Sequence, residues 1–208
     1  MSMSVHGYAK VTVGLIVANF AVFILQIAVP GFTGLVALTP SKAVSGMYWQ
    51  FFTYMFAHAG ITHIGLNMLA LFMFGGIMER VLGVERYLTL YIISGIGSSL
   101  FHMILTGISD VPMLGASGAV FGVLAAYAYR FPKNIVWIFP GIPMPASLLL
   151  VFFVIFEFFS GVFGFEPGIA NFGHLGGIVI SLGLMYAWGR KERRSSIGDT
   201  VEFIWENW

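Results

Sequence analysis

Six apolar runs, separated by short polar or glycine-rich segments, constrain this chain more than any other feature of its sequence. A transmembrane helix needs about 20 predominantly apolar residues, with a range of roughly 17 to 25. One run, 116–129, is shorter than the others and lies between them in the sequence. We therefore predict an all-α membrane protein with a short central fourth helix, whose six transmembrane helices fall at 11–29, 61–78, 87–105, 116–129, 146–163 and 172–188.

The composition excludes an ordinary water-soluble domain. Only 9% of the residues are charged and 58% are hydrophobic, whereas soluble domains carry about 25% charged residues. The net charge of +1 provides no general attraction for nucleic acid. Because the chain has no cysteine, disulfides and thiolate metal sites are excluded.

The segment between the first two runs, Pro30–Phe56, is apolar but interrupted by prolines and glycines. We predict that it forms a structured loop in the membrane interface. Basic residues indicate the orientation, because cytoplasmic segments of membrane proteins carry an excess of Lys and Arg. With the N-terminus inside, the outer loops hold only Lys42, and we predict that both termini are cytoplasmic. The inner basic residues are Lys10, Arg80, Arg86, Arg130, Lys133, Arg190, Lys191, Arg193 and Arg194.

Polar side chains begin the three helices that run from outside to inside. His63 and Asn67 begin the second, Ser117 the fourth and His174 the sixth. From Ser117 to Arg130 the helix extends about 20 Å, at 1.5 Å per residue. Since the hydrocarbon core is about 30 Å thick, Ser117 is expected about 10 Å below the outer boundary. Similar helix lengths place His63 and His174 at a similar depth.

These residue types predict a nucleophile and a general base. A serine hydroxyl needs a base to accept its proton, and His174 lies on another inward-running helix. The Ser117 N–H, together with His63 and Asn67 on one helix face, would donate hydrogen bonds to an oxyanion. We expect no Asp or Glu near these helix starts to orient His174, so the prediction is a Ser-His dyad.

Small residues surround both reactive side chains. Gly115 and Gly118 flank the dipeptide Ala116-Ser117, and their small size allows another backbone to approach closely. Gly176, Gly177 and Ser181 form a small-residue face that predicts close packing of the sixth helix against the fourth.

Each of these residues also has a simpler interpretation. A serine in an apolar helix often bonds back to its own helix, and a histidine in a membrane can bridge two helices. His58 and His63 lie about 140° apart on a helix, which disfavours a shared metal ion. We predict no metal and no cofactor. Glu157, inside the fifth run, is left open between a structural hydrogen bond and a gating or substrate-path role.

Three motifs resemble those of the rhomboid intramembrane proteases. The stretch 49–67 resembles the family's pattern around its second span, Gly115–Gly122 its nucleophile motif, and Gly173–Gly177 its base motif. Glu79 and Gly83 fit the turn into the third span. The resemblance covers roughly 11–194, so we predict a six-span catalytic domain at 1–194 and a short cytoplasmic tail at 195–208.

The resemblance implies a serine endopeptidase that cleaves single-pass transmembrane substrates near the outer membrane face. It implies that His63, Asn67 and the Ser117 N–H hold the oxyanion and that Phe121 stacks on the catalytic histidine. The loop 30–56 would be half-submerged, and the fifth span would be a lateral gate. Supporting positions are expected at His58, Gly115, Gly118 and Gly177, and gate residues at Phe153 and Phe156.

One residue departs from the family pattern: Gln50 follows Trp49 where the family often has arginine, which puts the anchoring of the first loop in question. The expected location is a plasma membrane, of prokaryotic inner-membrane type, with the active site open to the extracytoplasmic side and lipid as the remaining partner. Two alternatives stay open. One is a non-proteolytic binder of transmembrane helices, and the other is a transporter of small solutes or metals.

Overall fold

A computed structural model describes residues 9–138, 141–165 and 168–195, and these residues are mostly helical. All but the first residue of the predicted tail 195–208 lies outside them. The helices are α1 (Lys10–Ala28), α2 (Phe32–Val36), α3 (Pro40–Val44), α4 (Gln50–Thr53), α5 (Ile61–Ala70), α6 (Gly76–Leu82), α7 (Val84–Thr106), α8 (Ser117–Arg130), α9 (Ala146–Phe163) and α10 (Asn171–Ser195). A 3-10 turn at Tyr54–Phe56 follows α4, and a π-helical turn at Leu71–Gly75 joins α5 to α6.

Five helical stretches in the described part of the chain are long and apolar enough to cross a membrane. They are Lys10–Ala28, Ile61–Leu82, Val84–Thr106, Ala146–Phe163 and Asn171–Gly189. Each coincides with one of the predicted runs to within four residues. The remaining run forms α8, which has only 14 residues and is buried along most of its length. Helix α8 lies at the centre of the bundle, where its many Gly and Ala residues allow neighbouring helices to pack closely around it.

A short β-hairpin between α8 and α9 was not predicted from the sequence. Strand β1 (Ile135–Ile138) pairs antiparallel with β2 (Ile142–Pro145), with Ile135 opposite Pro145. The sequence of β1 is a short continuous apolar run, IVWI, which periodicity alone cannot distinguish from a segment of buried helix. The hairpin therefore adds a small β element to an otherwise α-helical bundle.

The first loop is structured, and Gln50 anchors it. The Gln50 side chain is fully buried within the segment that contains α2, α3 and α4. Its Oε1 accepts the Thr39 N–H at 3.0 Å, and its Nε2 donates to the Gly34 carbonyl at 3.1 Å. Trp49 Nε1 donates to the Leu35 carbonyl at 3.0 Å. The glutamine in place of the expected arginine thus still ties the two halves of the loop together.

Glu79 closes the N-terminal end of α1. Its carboxylate accepts the Val11 N–H at 3.0 Å and both the N–H and the hydroxyl of Thr12 at 2.8 Å. The first N–H groups of a helix have no acceptor within it, and a negative charge there also interacts favourably with the helix dipole. Through this contact the end of the second span is fixed to the start of the first.

Helices α8 and α10 approach backbone to backbone. A Cβ atom added to Gly177 would overlap the carbonyl oxygen of Gly118, and the Ser181 hydroxyl donates to the Gly122 carbonyl at 2.6 Å. The predicted packing face is therefore confirmed for Gly177 and Ser181. Gly176 is not part of this packing face, because its Cα faces Phe101 of α7.

The α8–α10 contact gives a prediction for stability. Gly177→Ala places a methyl group against the rigid backbone of α8, and overpacking of this kind typically costs about 1–3 kcal/mol or more. We expect a marked fall in the thermal unfolding midpoint in detergent. Gly183→Ala on the same helix is the matched control, because a Cβ there meets open space. Equal midpoints for the two variants would contradict the close packing.

Candidate active site

The helix starts bring Ser117 and His174 into direct contact. Ser117 is the first residue of α8, and His174 lies in the first turn of α10. The Ser117 Oγ is 2.7 Å from the His174 Nε2. Ser117 is half-buried, and His174 is 8% exposed. With the serine hydroxyl donating, Nε2 is the acceptor and the ring carries its proton on Nδ1.

One aromatic side chain stacks on the His174 ring, and a second packs against the first. Phe121 lies one turn after Ser117 on α8 and stacks on the imidazole, with ring centroids 4.6 Å apart and planes at 24°. Phe153 of α9 meets Phe121 edge-on at 5.3 Å. Phe156 does not reach this cluster; it is 40% exposed and stacks on Phe152. Of the two predicted gate positions, only Phe153 touches a residue that contacts His174.

His63 lies beside the serine, separated from it by Gly115. A Cβ atom on Gly115 would stand 2.8 Å from the His63 Nε2 and 3.6 Å from the Ser117 Oγ. Gly115 has φ +126°, a conformation that L side chains rarely adopt. Glycine is required here both for its backbone conformation and for the space that the imidazole occupies.

Asn67 is buried one turn below His63. Its amide nitrogen donates to the His63 carbonyl at 2.9 Å, which fixes the side chain against its own helix. An amide nitrogen carries two hydrogens, and this bond uses one of them. The other remains available on the face of α5 that also carries His63.

His58 supports the backbone immediately before the serine. Its Nε2 accepts the Ala116 N–H at 3.5 Å, the long limit of such a bond, and its ring packs edge-on against His63 at 5.0 Å. Gln26 of α1 bonds to both backbone groups of His58, at 2.8 and 3.2 Å. Burial, and secondarily the nearby His63, lower the pKa of His58 to about 4. The residue is therefore neutral near pH 7.

The structure overturns one expectation, because a carboxylate does stand beside His174. Glu157 of α9 is 4% exposed, and its Oε2 is 2.9 Å from the His174 Nδ1. The same oxygen accepts the Asn171 amide at 2.8 Å. The Nδ1 contact has the distance of an ion pair but not the alignment of a hydrogen bond. The sequence prediction considered residues at helix starts, whereas Glu157 lies near the end of α9, and α10 turns back beside it.

The glycines near the serine also have specific neighbours. A Cβ atom on Gly118 would overlap the Ser98 side chain of α7, and one on Gly173 would lie 3.0 Å from the Ser98 Oγ. Ser98 is fully buried. The third span thus packs closely behind the Ser117–His174 pair through small residues.

The lowered pKa of His58 gives a prediction for the pH dependence of stability. The histidine side chain titrates near pH 6.5 in the unfolded chain. Between about pH 6.5 and 4, His58 is therefore protonated in the unfolded chain but neutral in the folded protein. The contribution of neutral His58 to the free energy of unfolding is fully present above pH 6.5 and is lost as the pH falls toward 4. We expect wild type to lose about 1–2 kcal/mol more than His58→Gln between pH 7.5 and 5.

Unfolding in detergent at the two pH values measures this difference. The comparison cancels the titration of groups that both proteins share, since glutamine keeps an acceptor for the Ala116 N–H and does not titrate. The same pH dependence in both proteins would show that His58 is not held neutral by its surroundings.

A serine hydroxyl bonded to a buried imidazole, with a free helix N-terminus and a second histidine beside it, is an arrangement suited to acyl transfer. The N–H groups of the first turn of α8 have no acceptor within the helix. They point to the end of the helix at which Ser117 stands. The starts of α5, α8 and α10 thus bring a serine hydroxyl, two imidazoles and hydrogen-bond donors to one place.

Comparison with known proteins identifies the family. Residues 45–192, more than half of the chain, match the family model described as "Rhomboid domain". The chain is 34% identical over 140 residues to "Rhomboid protein 1, mitochondrial" of Saccharomyces cerevisiae, covering 64% of this chain and 39% of that protein. It is also 34% identical over 140 residues to "Rhomboid protease GluP" of Bacillus subtilis, covering 67% and 26%.

A third relative is "Rhomboid-type serine protease 2" of Emericella nidulans, at 33% identity over 143 residues, covering 69% of this chain and 27% of that protein. The matches span between 26% and 39% of the length of these three relatives. Four of the five candidate spans lie within the matched region, and Lys10–Ala28 precedes it. This chain is a multi-pass membrane protein and belongs to the rhomboid family.

Proposed function

We propose that this chain is an intramembrane serine endopeptidase that hydrolyses a peptide bond in or near a transmembrane segment of its substrate. The observation that carries the proposal is the 2.7 Å contact between the Ser117 Oγ and the His174 Nε2. Relatives named as proteases support the same reaction class. Since rhomboid relatives also include inactive proteins, an intact nucleophile and base are the features that distinguish an enzyme from a binder.

The first half of the reaction follows from this contact. His174 Nε2 accepts the Ser117 hydroxyl proton while the Oγ attacks the carbonyl carbon of the scissile peptide. Negative charge then develops on the carbonyl oxygen, and donors pre-positioned for it lower the barrier. In the proposal those donors are the Ser117 N–H, the His63 ring and the second Asn67 amide hydrogen.

The second half uses the same groups in reverse. The protonated His174 gives its proton to the leaving amine, which frees the C-terminal piece of the substrate and leaves an acyl-enzyme on Ser117. A water molecule then attacks the ester, with His174 accepting its proton. The bond between the acyl carbon and the Ser117 Oγ breaks as His174 returns that proton to the Oγ, and the N-terminal piece is released as a carboxylic acid. Water must therefore reach a site that lies between transmembrane helices.

The orientation and span count complete the proposal. We infer that α8 is a sixth transmembrane helix, short because the protein surrounds it, and that residues 1–194 form the catalytic domain. The distribution of Lys and Arg supports cytoplasmic termini, with the site open to the extracytoplasmic side of a plasma membrane. The proposed substrates are single-pass transmembrane proteins.

The first prediction of this function concerns the reacting pair. In liposomes containing a model single-pass substrate, wild type should cleave, whereas Ser117→Ala and His174→Ala should each lower kcat by a factor on the order of 10⁴ or more. The expected result is the loss of both product fragments on a gel.

Gly183→Ala serves as the control for reconstitution, because it changes the same bundle away from the site. Equal cleavage by wild type and both variants would contradict the assignment of Ser117 and His174. If none of the proteins cleaves while all of them bind the substrate helix, the chain is a non-proteolytic binder.

A second prediction concerns the residue whose carbonyl is attacked. The serine is enclosed by Gly115, Ala116 and Gly118, and His63 fills the space beside Gly115. A small substrate residue fits such a site, and a bulky one would displace these groups. Replacing alanine by phenylalanine at the cleavage position of the model substrate should therefore abolish cleavage there. Unchanged cleavage at that bond would contradict the crowding.

A further inference from the structure

We propose that Glu157 is a positioning residue for His174, so that the proposed catalytic pair is extended to a Glu157–His174–Ser117 triad. This inference rests on the proposed protease function. It concerns the ring nitrogen that the serine does not use. The His174 Nε2 faces Ser117, and the Nδ1 lies 2.9 Å from the Glu157 Oε2.

With the Ser117 hydroxyl as donor to Nε2, the neutral imidazole has only one arrangement. For Nε2 to accept the serine proton, the ring hydrogen must be on Nδ1. A carboxylate beside Nδ1 favours that tautomer, since it accepts a hydrogen bond and cannot donate one when ionised. A donor in the same place would favour the opposite tautomer, in which Nε2 is blocked. A side chain at the position of Glu157 therefore determines which tautomer of His174 is favoured.

The cost of burying Glu157 also argues for a role at His174. The carboxylate is 4% exposed and lies within a span, where ionisable groups are expensive and tend to be functional. Its contacts at the site are the Asn171 amide and the His174 Nδ1, and both reach the same oxygen. A hydrogen bond between α9 and α10 alone would need only a neutral side chain. A carboxylate provides in addition a negative charge next to the imidazolium that forms during acylation.

Asn171 holds the carboxylate in place. It lies one turn before His174 on α10 and donates to the Glu157 Oε2 at 2.8 Å. Both partners of Glu157 therefore come from the start of one helix, and the carboxylate approaches them from α9. The Nδ1 contact lacks hydrogen-bond alignment in the free protein. Such contacts often tighten only when substrate is bound.

Helix α9 contacts the base by a second route. Phe153 lies one turn before Glu157 and packs on Phe121, which stacks on the His174 ring. The same helix therefore limits rotation of the imidazole through a ring contact and through a polar contact. In this triad no proton passes to Glu157: Nδ1 keeps its hydrogen, and the Ser117 proton moves to Nε2 and then to the leaving amine.

Kinetics of three proteins test the proposal in liposomes. Glu157→Leu, which removes the acceptor and the charge at similar volume, should lower kcat about 100-fold or more, with KM within about threefold of wild type. Glu157→Gln keeps an oxygen for Nδ1 without the charge and should retain an intermediate kcat. Because a positioning residue acts in the chemical step, the rate of Ser117 labelling by a fluorophosphonate should follow kcat in all three.

A spectroscopic measurement separates positioning from helix packing. The Nδ1–H proton of His174 should give a downfield-shifted NMR resonance in wild type and in Ser117→Ala, and this resonance should be lost in Glu157→Leu. Ser160→Ala is the matched control, since it removes another buried polar group of α9. It should leave the resonance and kcat unchanged. If Glu157→Leu does not fold, the same comparison is made with Glu157→Gln, for which we expect a weakened shift.

The outcomes distinguish this proposal from the proposed function. A kcat for both Glu157 variants within threefold of wild type, or a resonance unaffected by Glu157→Leu, overturns the positioning role while the protease assignment stands. A raised KM with unchanged kcat also overturns the positioning role and assigns Glu157 to the substrate path. If wild type cleaves nothing, the protease proposal fails, and the resonance in wild type and Ser117→Ala still tests the contact between Glu157 and His174.

Discussion

The close approach of α8 and α10 is the constraint on which the site depends. Gly177 lies against the Gly118 carbonyl with no room for a Cβ atom, and Ser181 bonds the Gly122 carbonyl one turn further along. Without a hydrophobic driving force between helices in lipid, packing of this kind and hydrogen bonds between helices supply the association. The same contact sets the distance between the starts of the two helices. A hydrogen bond between Ser117 and His174 is possible only at that separation.

The residues around the serine could be predicted from sequence because they stand at the starts of apolar runs. Ser117 begins α8, His63 lies in the first turn of α5 and His174 in the first turn of α10, as the apolar runs indicated. The pairing of Gly177 with α8 followed from the small-residue pattern. The individual roles of these residues remain proposals, but their placement needed only run lengths and the inward direction of three helices.

The residues that sequence reasoning missed depend on how consecutive helices turn back. Glu157 lies six residues before the end of α9, and α10 begins only eight residues after that end. A short connection makes neighbours antiparallel, so the end of one helix faces the start of the next. Applied to Glu157 and Asn171, this rule would have placed the carboxylate beside the base. The anchoring by Gln50 had no such signal, because it depends on backbone groups of an irregular loop.

The π-helical turn at Leu71–Gly75 changes the direction in which side chains beyond it point from the second span. A wide turn accommodates an extra residue and shifts the angular phase of everything beyond it, where each residue of an ideal helix advances by about 100°. His63 and Glu79 are thus aimed by two helical segments with separate phases, one toward the serine and one toward the start of α1. Deleting a single residue of that turn would restore a continuous α-helix and rotate one polar end away from its partners. The span can therefore serve both ends only because its middle is irregular.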